Sequence, residues 1–321
     1  MQLFNAGIYD DRYGFNAVFD LYKCPYCGQY QTTPLLMESE LSPLYSNYYP
    51  RKNIDIEAIN SQASQTKRLF SPLIRWWKGN NNQGQYYAKR GENVLDYGCG
   101  NGTSLIELRY FGTTAYGVEA DQNVRQVIAP LKVNIHIGDL GPSTFDGVKF
   151  DLIILNQVLE HIPKPDILLN SLSSHLSENG RIILSFPNSN SFYANFFKRK
   201  WINWHIPYHL HHFNLKSSEK YFHNLGWNID FKKTITPNLW TIIQCQTYWE
   251  TNLIGEKSIF WATFNSKLPN KELILPSEYF IYLVSRYSSN KVVYFFLSSF
   301  NKILDKIGRG DSILISINLK K

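Results

Sequence analysis

The chain has 321 residues, 44% of them hydrophobic and 18% charged, with a formal net charge of +7. That composition is enough for a sizeable core and excludes a disordered protein. Four scattered cysteines exclude a disulfide framework, and no apolar run reaches the ~18 residues a membrane span needs.

The opening MQLFNAGIYDDRYG has neither a basic n-region nor an apolar h-region, so no signal peptide is expected. A reduced, cytoplasmic, soluble protein is the expectation. Residues 1–50 are aromatic and irregular and contain CPYCG, half of a zinc knuckle. A closed tetrahedral site needs two ligands beyond Cys24 and Cys27. The pair is therefore read as degenerate or as the remainder of a truncated site, with no zinc expected. Residues 51–90 form a helical cap and linker. Ile54, Ile56, Ile59, Leu69, Phe70, Leu73 and Ile74 recur there at helical spacing. KGNNNQGQ (78–85) is a loop by composition.

From residue 91 strands and helices alternate. ENVLDYG is a strand and TSLIELRYF a helix; TAYGVEA is a strand and DQNVRQVIAPL a helix. VNIHIGD and FDLIILNQ are the third and fourth strands, the latter apolar as a strand covered on both faces is. PDILLNSLSSHLSENG reads as a helix closed by a glycine, and GRIILSFPN as a fifth strand. NIDFKKTI is a further strand; the alternation predicts an α/β, Rossmann-like, doubly wound, mostly parallel sheet of seven strands, its core in 91–250 and its last strand after an insertion. An amphipathic helical insertion occupies 251–308. Val293, Phe296, Leu297, Phe300, Leu304 and Ile307 share one helical face there, packed on the domain by default but able to dimerise or touch lipid. The last strand, GDSILISINLKK, lies in 309–321. The cluster Phe196, Phe197, Lys198, Arg199, Lys200, Trp201 suits a membrane surface or a phosphate-bearing substrate, though a solvated face is the simpler reading.

In VLDYGCGNG (94–102), Gly98, Gly100 and Gly102 free the backbone after the first strand, where open parallel sheets bind ligands. The spacing is GxGxG rather than GxGxxG, and the phosphate-loop lysine is absent, which weakens dinucleotide and phosphate readings. Asp96 repels pyrophosphate and suits a cation. The segment resembles the first motif of class I S-adenosylmethionine-dependent methyltransferases of the type 11, 12 and 23 group. Quinone-biosynthesis O-methyltransferases are similar, as are polysaccharide- and sugar-associated methyltransferases with an N-terminal zinc knuckle. The resemblance covers about 90–235. It implies S-adenosylmethionine as cofactor and S-adenosylhomocysteine as product, held by Asp96, Gly98, Cys99, Gly100, Asn101, Gly102, Glu119, Ala120, Asp139, Leu140, Asn156 and Gln157. Glu119 would meet the ribose hydroxyls, and Asp139 with Leu140 the adenine. Cys99 is a small packing residue, not a nucleophile.

An oxygen acceptor must lose a proton, so a general base is expected. His209, in HIPYHLHHFN, is the first candidate; Glu160-His161, after the fourth strand, is the second. A metal shared by His205, His209, His211 and His212 is spaced plausibly but not expected. Tyr48 and Tyr49 line the pocket or pack in the core. The expected acceptor is a small molecule or a glycan or lipid-linked sugar precursor, methylated at oxygen. Peripheral membrane contact fits the basic and amphipathic segments. An RNA-modifying enzyme lacks a complete ribbon and a basic stripe. A cofactor-binding scaffold without turnover is the other alternative.

Overall fold

The computed structural model describes residues 1–49, 55–263 and 275–320. Two sheets organise it. Strands β1 (Gln2–Tyr9), β2 (Val18–Lys23) and β3 (Tyr30–Thr33) form an antiparallel sheet completed by β9 (His211–His212). The larger sheet holds β4 (Asn93–Tyr97), β5 (Thr114–Glu119), β6 (Asn134–Ile137), β7 (Phe150–Asn156), β8 (Leu176–Pro187), β10 (Trp227–Ile235) and β11 (Ser312–Leu319). Its order is β10-β11-β8-β7-β4-β5-β6, and only β11 runs against its neighbours. This is the Rossmann-like, seven-stranded, mostly parallel sheet expected from the alternation.

The alternation of side chains across a strand explains its two covered faces. Leu95, Ile153, Leu155, Ile182 and Leu184 enter one apolar cluster; Val94, Leu152, Ile154, Ile183 and Leu314 enter the cluster on the opposite face. A third cluster joins Phe19, Leu21 and Tyr30 of the small sheet to Trp204, Tyr208 and Leu210 and to Ile281, Leu297 and Leu304 of the C-terminal helices.

Four elements differ from expectation. The N-terminal segment read as irregular is the small sheet. Register shifts between Leu3 and Asn5 and between Asn5 and Ile8 break the period-two pattern that would have marked β1. The helix read over 165–180 ends at Ser173, because Leu176 already pairs with Phe150 in the sheet. The cap is two helices, Ile56–Ser64 and Ser71–Lys78, with a break between them; Ile59 is buried, but Leu69, Phe70, Leu73 and Ile74 are exposed. Ile54 lies outside the described residues. The insertion contains Ile259–Thr263, Pro276–Tyr287 and Lys291–Lys306, while 264–274 lie outside the described residues. On Lys291–Lys306 the buried face is Leu297, Ser298, Asn301 and Leu304, and Phe296 and Ile307 stand 67% and 64% exposed. Polar anchors set that rotation. Asn301 donates to Asn238 Oδ1 at 2.9 Å and accepts from the Tyr193 hydroxyl at 2.7 Å, and no apolar count reveals such bonds.

Helix Ser71–Lys78 ends at Gly79 in the left-handed region, at φ 74°. A Cβ there would lie 1.9 Å from the carbonyl oxygen of Thr236, just past β10. Gly79→Ala therefore combines backbone strain with a backbone clash, and should cost at least about 2 kcal/mol, read as a lower urea midpoint.

Candidate functional site

β4 ends in the glycine turn at the carboxyl edge of the parallel strands. The N–H groups of Gly98 and Cys99 donate to the Val118 carbonyl at 2.8 and 3.1 Å, which pins the turn to the end of β5. Gly98, Gly100 and Gly102 all have positive φ. A Cβ at Gly98 would strike Val158 at 2.6 Å, whereas one at Gly100 would meet nothing within 4 Å, so open space lies over the turn. Glu119 closes the far side. Its Oε2 accepts from Gly100 N–H at 2.8 Å and its Oε1 from Asp121 N–H at 3.0 Å, leaving each oxygen a lone pair. Asp96 is buried beneath. Ser104 Oγ donates to its Oδ2, while Oδ1 is buried with no partner. Burial pushes the Asp96 carboxyl up to about 7, against the Ser104 bond and with help from Glu119 and Glu107. The orphaned oxygen and the glycine cradle fit a ligand carrying a cation. No phosphate-binding side chain stands in the turn.

A second group of polar atoms lies just past β7. Glu160 is 1% exposed and neither carboxyl oxygen has a partner. Burial raises it to about 8. His161 Nδ1 lies 2.9 Å from the Tyr208 carbonyl and 2.8 Å from Tyr45 Oη. A carbonyl only accepts, so Nδ1 bears the proton and Nε2 the lone pair. His209 Nδ1 lies 2.8 Å from the Asn203 carbonyl, which assigns it the same tautomer. The two rings meet edge to face at 4.6 Å. His205 Nδ1 lies 3.4 Å from His209 Nε2, and His205 Nε2 is buried without a partner. Burial lowers His161 to about 4 and holds His205 and His209 well below the usual imidazole range. Glu160, His161 and His209 each bring a potential ligand atom within 4.8 Å of the others, so this trio is the nearest approach to a metal-binding set among the described residues. Around them stand Tyr13, Tyr45, Tyr49 and Tyr208, with ring centroids 5.1–5.4 Å apart. Tyr208 Oη too is buried without a partner.

The family model described as a methyltransferase domain matches residues 73–230. The ubiquinone biosynthesis O-methyltransferase of Coxiella burnetii (strain Dugway 5J108-111) is 28% identical over 112 residues, 33% of this chain and 48% of that protein. Its counterpart in Escherichia coli O157:H7 (strain EC4115 / EHEC) is 25% identical over 166 residues, 48% of this chain and 68% of that protein. Among solved structures, a SAM-dependent methyltransferase from Archaeoglobus fulgidus superposes with a TM-score of 0.41 at 18% identity, over 82% of this chain and 95% of that one. Residues 73–230 thus match a methyltransferase domain, in line with the resemblance of the sequence to class I S-adenosylmethionine-dependent enzymes. The chain spans about half the length of the first curated relatives it matches.

The methyltransferase domain brings Asp96, the three glycines, Cys99 and Glu119 together. Cys99 is buried and its thiol is pushed well up, as suits a packing residue. Asn101 Oδ1 accepts from the N–H and hydroxyl of Thr103, starting the next helix. Ala120 and Asp139 are exposed beyond β5 and β6, and Leu140 packs against the core. The Asn156 side chain is engaged elsewhere, accepting from Gly84 N–H at 2.7 Å and donating to Gln85 at 2.9 Å. Gln157 sits at φ 55° and donates its side-chain amide to Ser185 Oγ at 3.2 Å. His211 lies by the Pro163 carbonyl at 3.3 Å and His212 by Thr32 at 3.1 Å, so the four-histidine set spaced along 205–212 is divided. Tyr48 packs on Phe15, whereas Tyr49 belongs to the tyrosine ring. Cys24 and Cys27 are free on the turn between β2 and β3, and the N–H groups of Cys27 and Tyr26 lower Cys24 to about 7. Of the 198–201 cluster, Trp201 is buried, Arg199 donates to the Gly7 carbonyl and Lys200 to the Tyr248 carbonyl.

Two residues escaped the sequence reading. Tyr45 meets His161 from a helix outside the core. Asp311, in GRGDS, accepts from Ser191, Trp201 and Asn203, and Asn203 in turn holds His209 through its carbonyl. An aspartate among glycines before a strand was the signal available for Asp311.

The raised Asp96 carboxyl has a consequence for stability. Below about pH 4 it is protonated folded or unfolded and costs nothing. As pH rises toward about 7 the unfolded chain ionises first, so the ligand-free fold loses stability, and above that the loss is constant. Asp96→Asn removes the charge. The melting temperature of the variant, relative to wild type, should rise between pH 4 and 7 and then level off.

Proposed function

We propose that the chain transfers the methyl group of S-adenosylmethionine to an oxygen of a small-molecule or glycan or lipid-linked sugar acceptor. One observation carries this reading: the buried, unpartnered carboxyl of Glu160, grouped with His161 and His209 at the carboxyl edge where the glycine turn lies. The name shared by the relatives, O-methyltransferase, supports oxygen as the atom methylated.

Bound in the turn, the cofactor supplies a methyl group already activated on a positively charged sulfur. Asp96 Oδ1 meets the cation in this reading, and the lone pairs left on Glu119 meet the ribose hydroxyls. Gly98, Cys99, Gly100, Asn101 and Gly102 form the floor, Ala120, Asp139 and Leu140 the adenine side, and Asn156 and Gln157 the backbone past β7. The acceptor occupies the tyrosine-lined side. Proton acceptance there favours Glu160 over either histidine. A carboxylate raised to about 8 holds a proton far better than an imidazole lowered to about 4. His161, with its Nε2 lone pair free, orients the acceptor hydroxyl, His209 packs against its ring with Nε2 toward His205, and the buried rings exclude water.

Glu160 must be ionised to take the proton. The methyl-transfer rate should therefore rise with pH toward a midpoint near 8, and Glu160→Gln should slow it about 10²- to 10⁴-fold. The assay supplies methyl-labelled S-adenosylmethionine with cell fractions. Label is expected in small metabolites, lipid-linked sugars or polysaccharide; label in RNA alone would contradict the reading. Glu119→Ala should weaken S-adenosylhomocysteine binding by about 1–3 kcal/mol in a calorimetric titration, and unchanged affinity would remove Glu119 from the cofactor site.

A further inference from the structure

No helix among the described residues is long and apolar enough to cross a membrane. Yet two neighbouring helices present large apolar side chains to solvent. On and before Ser71–Lys78 these are Leu69, Phe70, Leu73, Ile74 and Trp76, with Leu69 85% exposed. On and after Lys291–Lys306 they are Val292, Phe295, Phe296, Ile303 and Ile307. The second set recurs at three-, four- and seven-residue steps, a face separate from the buried one. Trp77 and Phe295 join the helices at 5.4 Å between ring centroids, and Lys302 reaches over Trp76 at 5.7 Å. The two sets therefore form one surface.

Its charge is predominantly positive. Segments 67–78 and 291–307 hold seven cations, Lys67, Arg68, Arg75, Lys78, Lys291, Lys302 and Lys306. Their one acid, Asp305, is tied to Lys302 and Thr236. Exposed apolar and aromatic residues rimmed by lysine and arginine are what an anionic lipid interface selects. A second copy is a poor occupant, since a two-fold pairing of this face would set cations against cations. We propose that this surface docks the chain on an anionic phospholipid bilayer without crossing it.

Both helices are anchored at the carboxyl end of β10. Gly79 abuts Thr236, and the Asp305 backbone and side chain accept from Thr234 and Thr236. Because β10 and β8 both run against β11, that end shares the sheet edge of the glycine turn. The bilayer would therefore sit on the edge that carries the proposed site. The inference does not depend on that site, because it rests on side chains outside it.

The test is co-sedimentation of the full chain with vesicles of phosphatidylcholine alone or mixed with phosphatidylglycerol. Binding to the mixed vesicles is expected, weakened by added salt and at least about tenfold weaker on phosphatidylcholine alone. Leu73→Glu with Phe296→Glu should abolish it. Both positions are exposed, and unchanged circular dichroism with unchanged S-adenosylhomocysteine affinity would verify the fold. Lys78→Glu with Lys306→Glu should reduce binding about tenfold or more. Absence of binding at low salt overturns the proposal, as does binding indifferent to both double variants. A wild-type dimer that Phe296→Glu dissociates would make the face a subunit interface and overturn it as well.

Discussion

The short pairing of β3 with β9 is the constraint on which the site depends. Tyr30 pairs with His212 and Gln31 with His211, and Thr32 extends the contact by donating to the Leu210 carbonyl at 3.0 Å. Leu210 then donates to the Glu160 carbonyl at 2.8 Å. One segment, 203–212, is thereby stitched to the small sheet on one side and to the end of β7 on the other. This double attachment encloses His161, His205 and His209 with Glu160 and the tyrosines. Without it the histidines would lie on a surface loop and titrate as exposed imidazoles do.

Enclosure explains the electrostatics of the region. Desolvation leads the causes that lower the three histidines and raise Glu160, Asp96 and Asp311, the last to about 7. The histidines are held neutral, His161 and His209 with the proton on Nδ1, and the acids titrate in the range where a proton can be exchanged at physiological pH. Asp311 has three donors and a structural role. Glu160 has none, and Asp96 keeps one oxygen unbonded. A buried polar atom without a partner is costly, and the proposed ligands would satisfy these orphans. The cost makes sense if the ligands supply the missing bonds.

Much of the parallel sheet was legible in the sequence, because near-continuous apolar runs such as FDLIILN follow directly from burial on both faces. The glycine turn and the position of Glu119 were legible because both are local: positive φ in one case, the end of a strand in the other. What stayed hidden depends on contacts between distant segments. β1 is bulged, so its alternation is broken. The exposed face of Lys291–Lys306 is set by Asn301, a polar residue that an apolar count ignores. Asn156 looked like a cofactor contact by position, yet its amide serves the turn at 84–85. His209 stood out as a histidine in a motif; the burial of the Glu160 carboxyl beside it, on which the proposed base rests, was not visible in the sequence.

The most direct measurement is a crystal structure of the protein soaked with S-adenosylhomocysteine. The expected result is density over Gly98–Gly102, with the ammonium toward Asp96, the ribose on Glu119 and the sulfur facing Glu160, His161 and His209. A ligand bound away from the turn, or one whose sulfur faces away from that trio, would contradict the proposed placement of methyl transfer at the carboxyl edge beside Glu160.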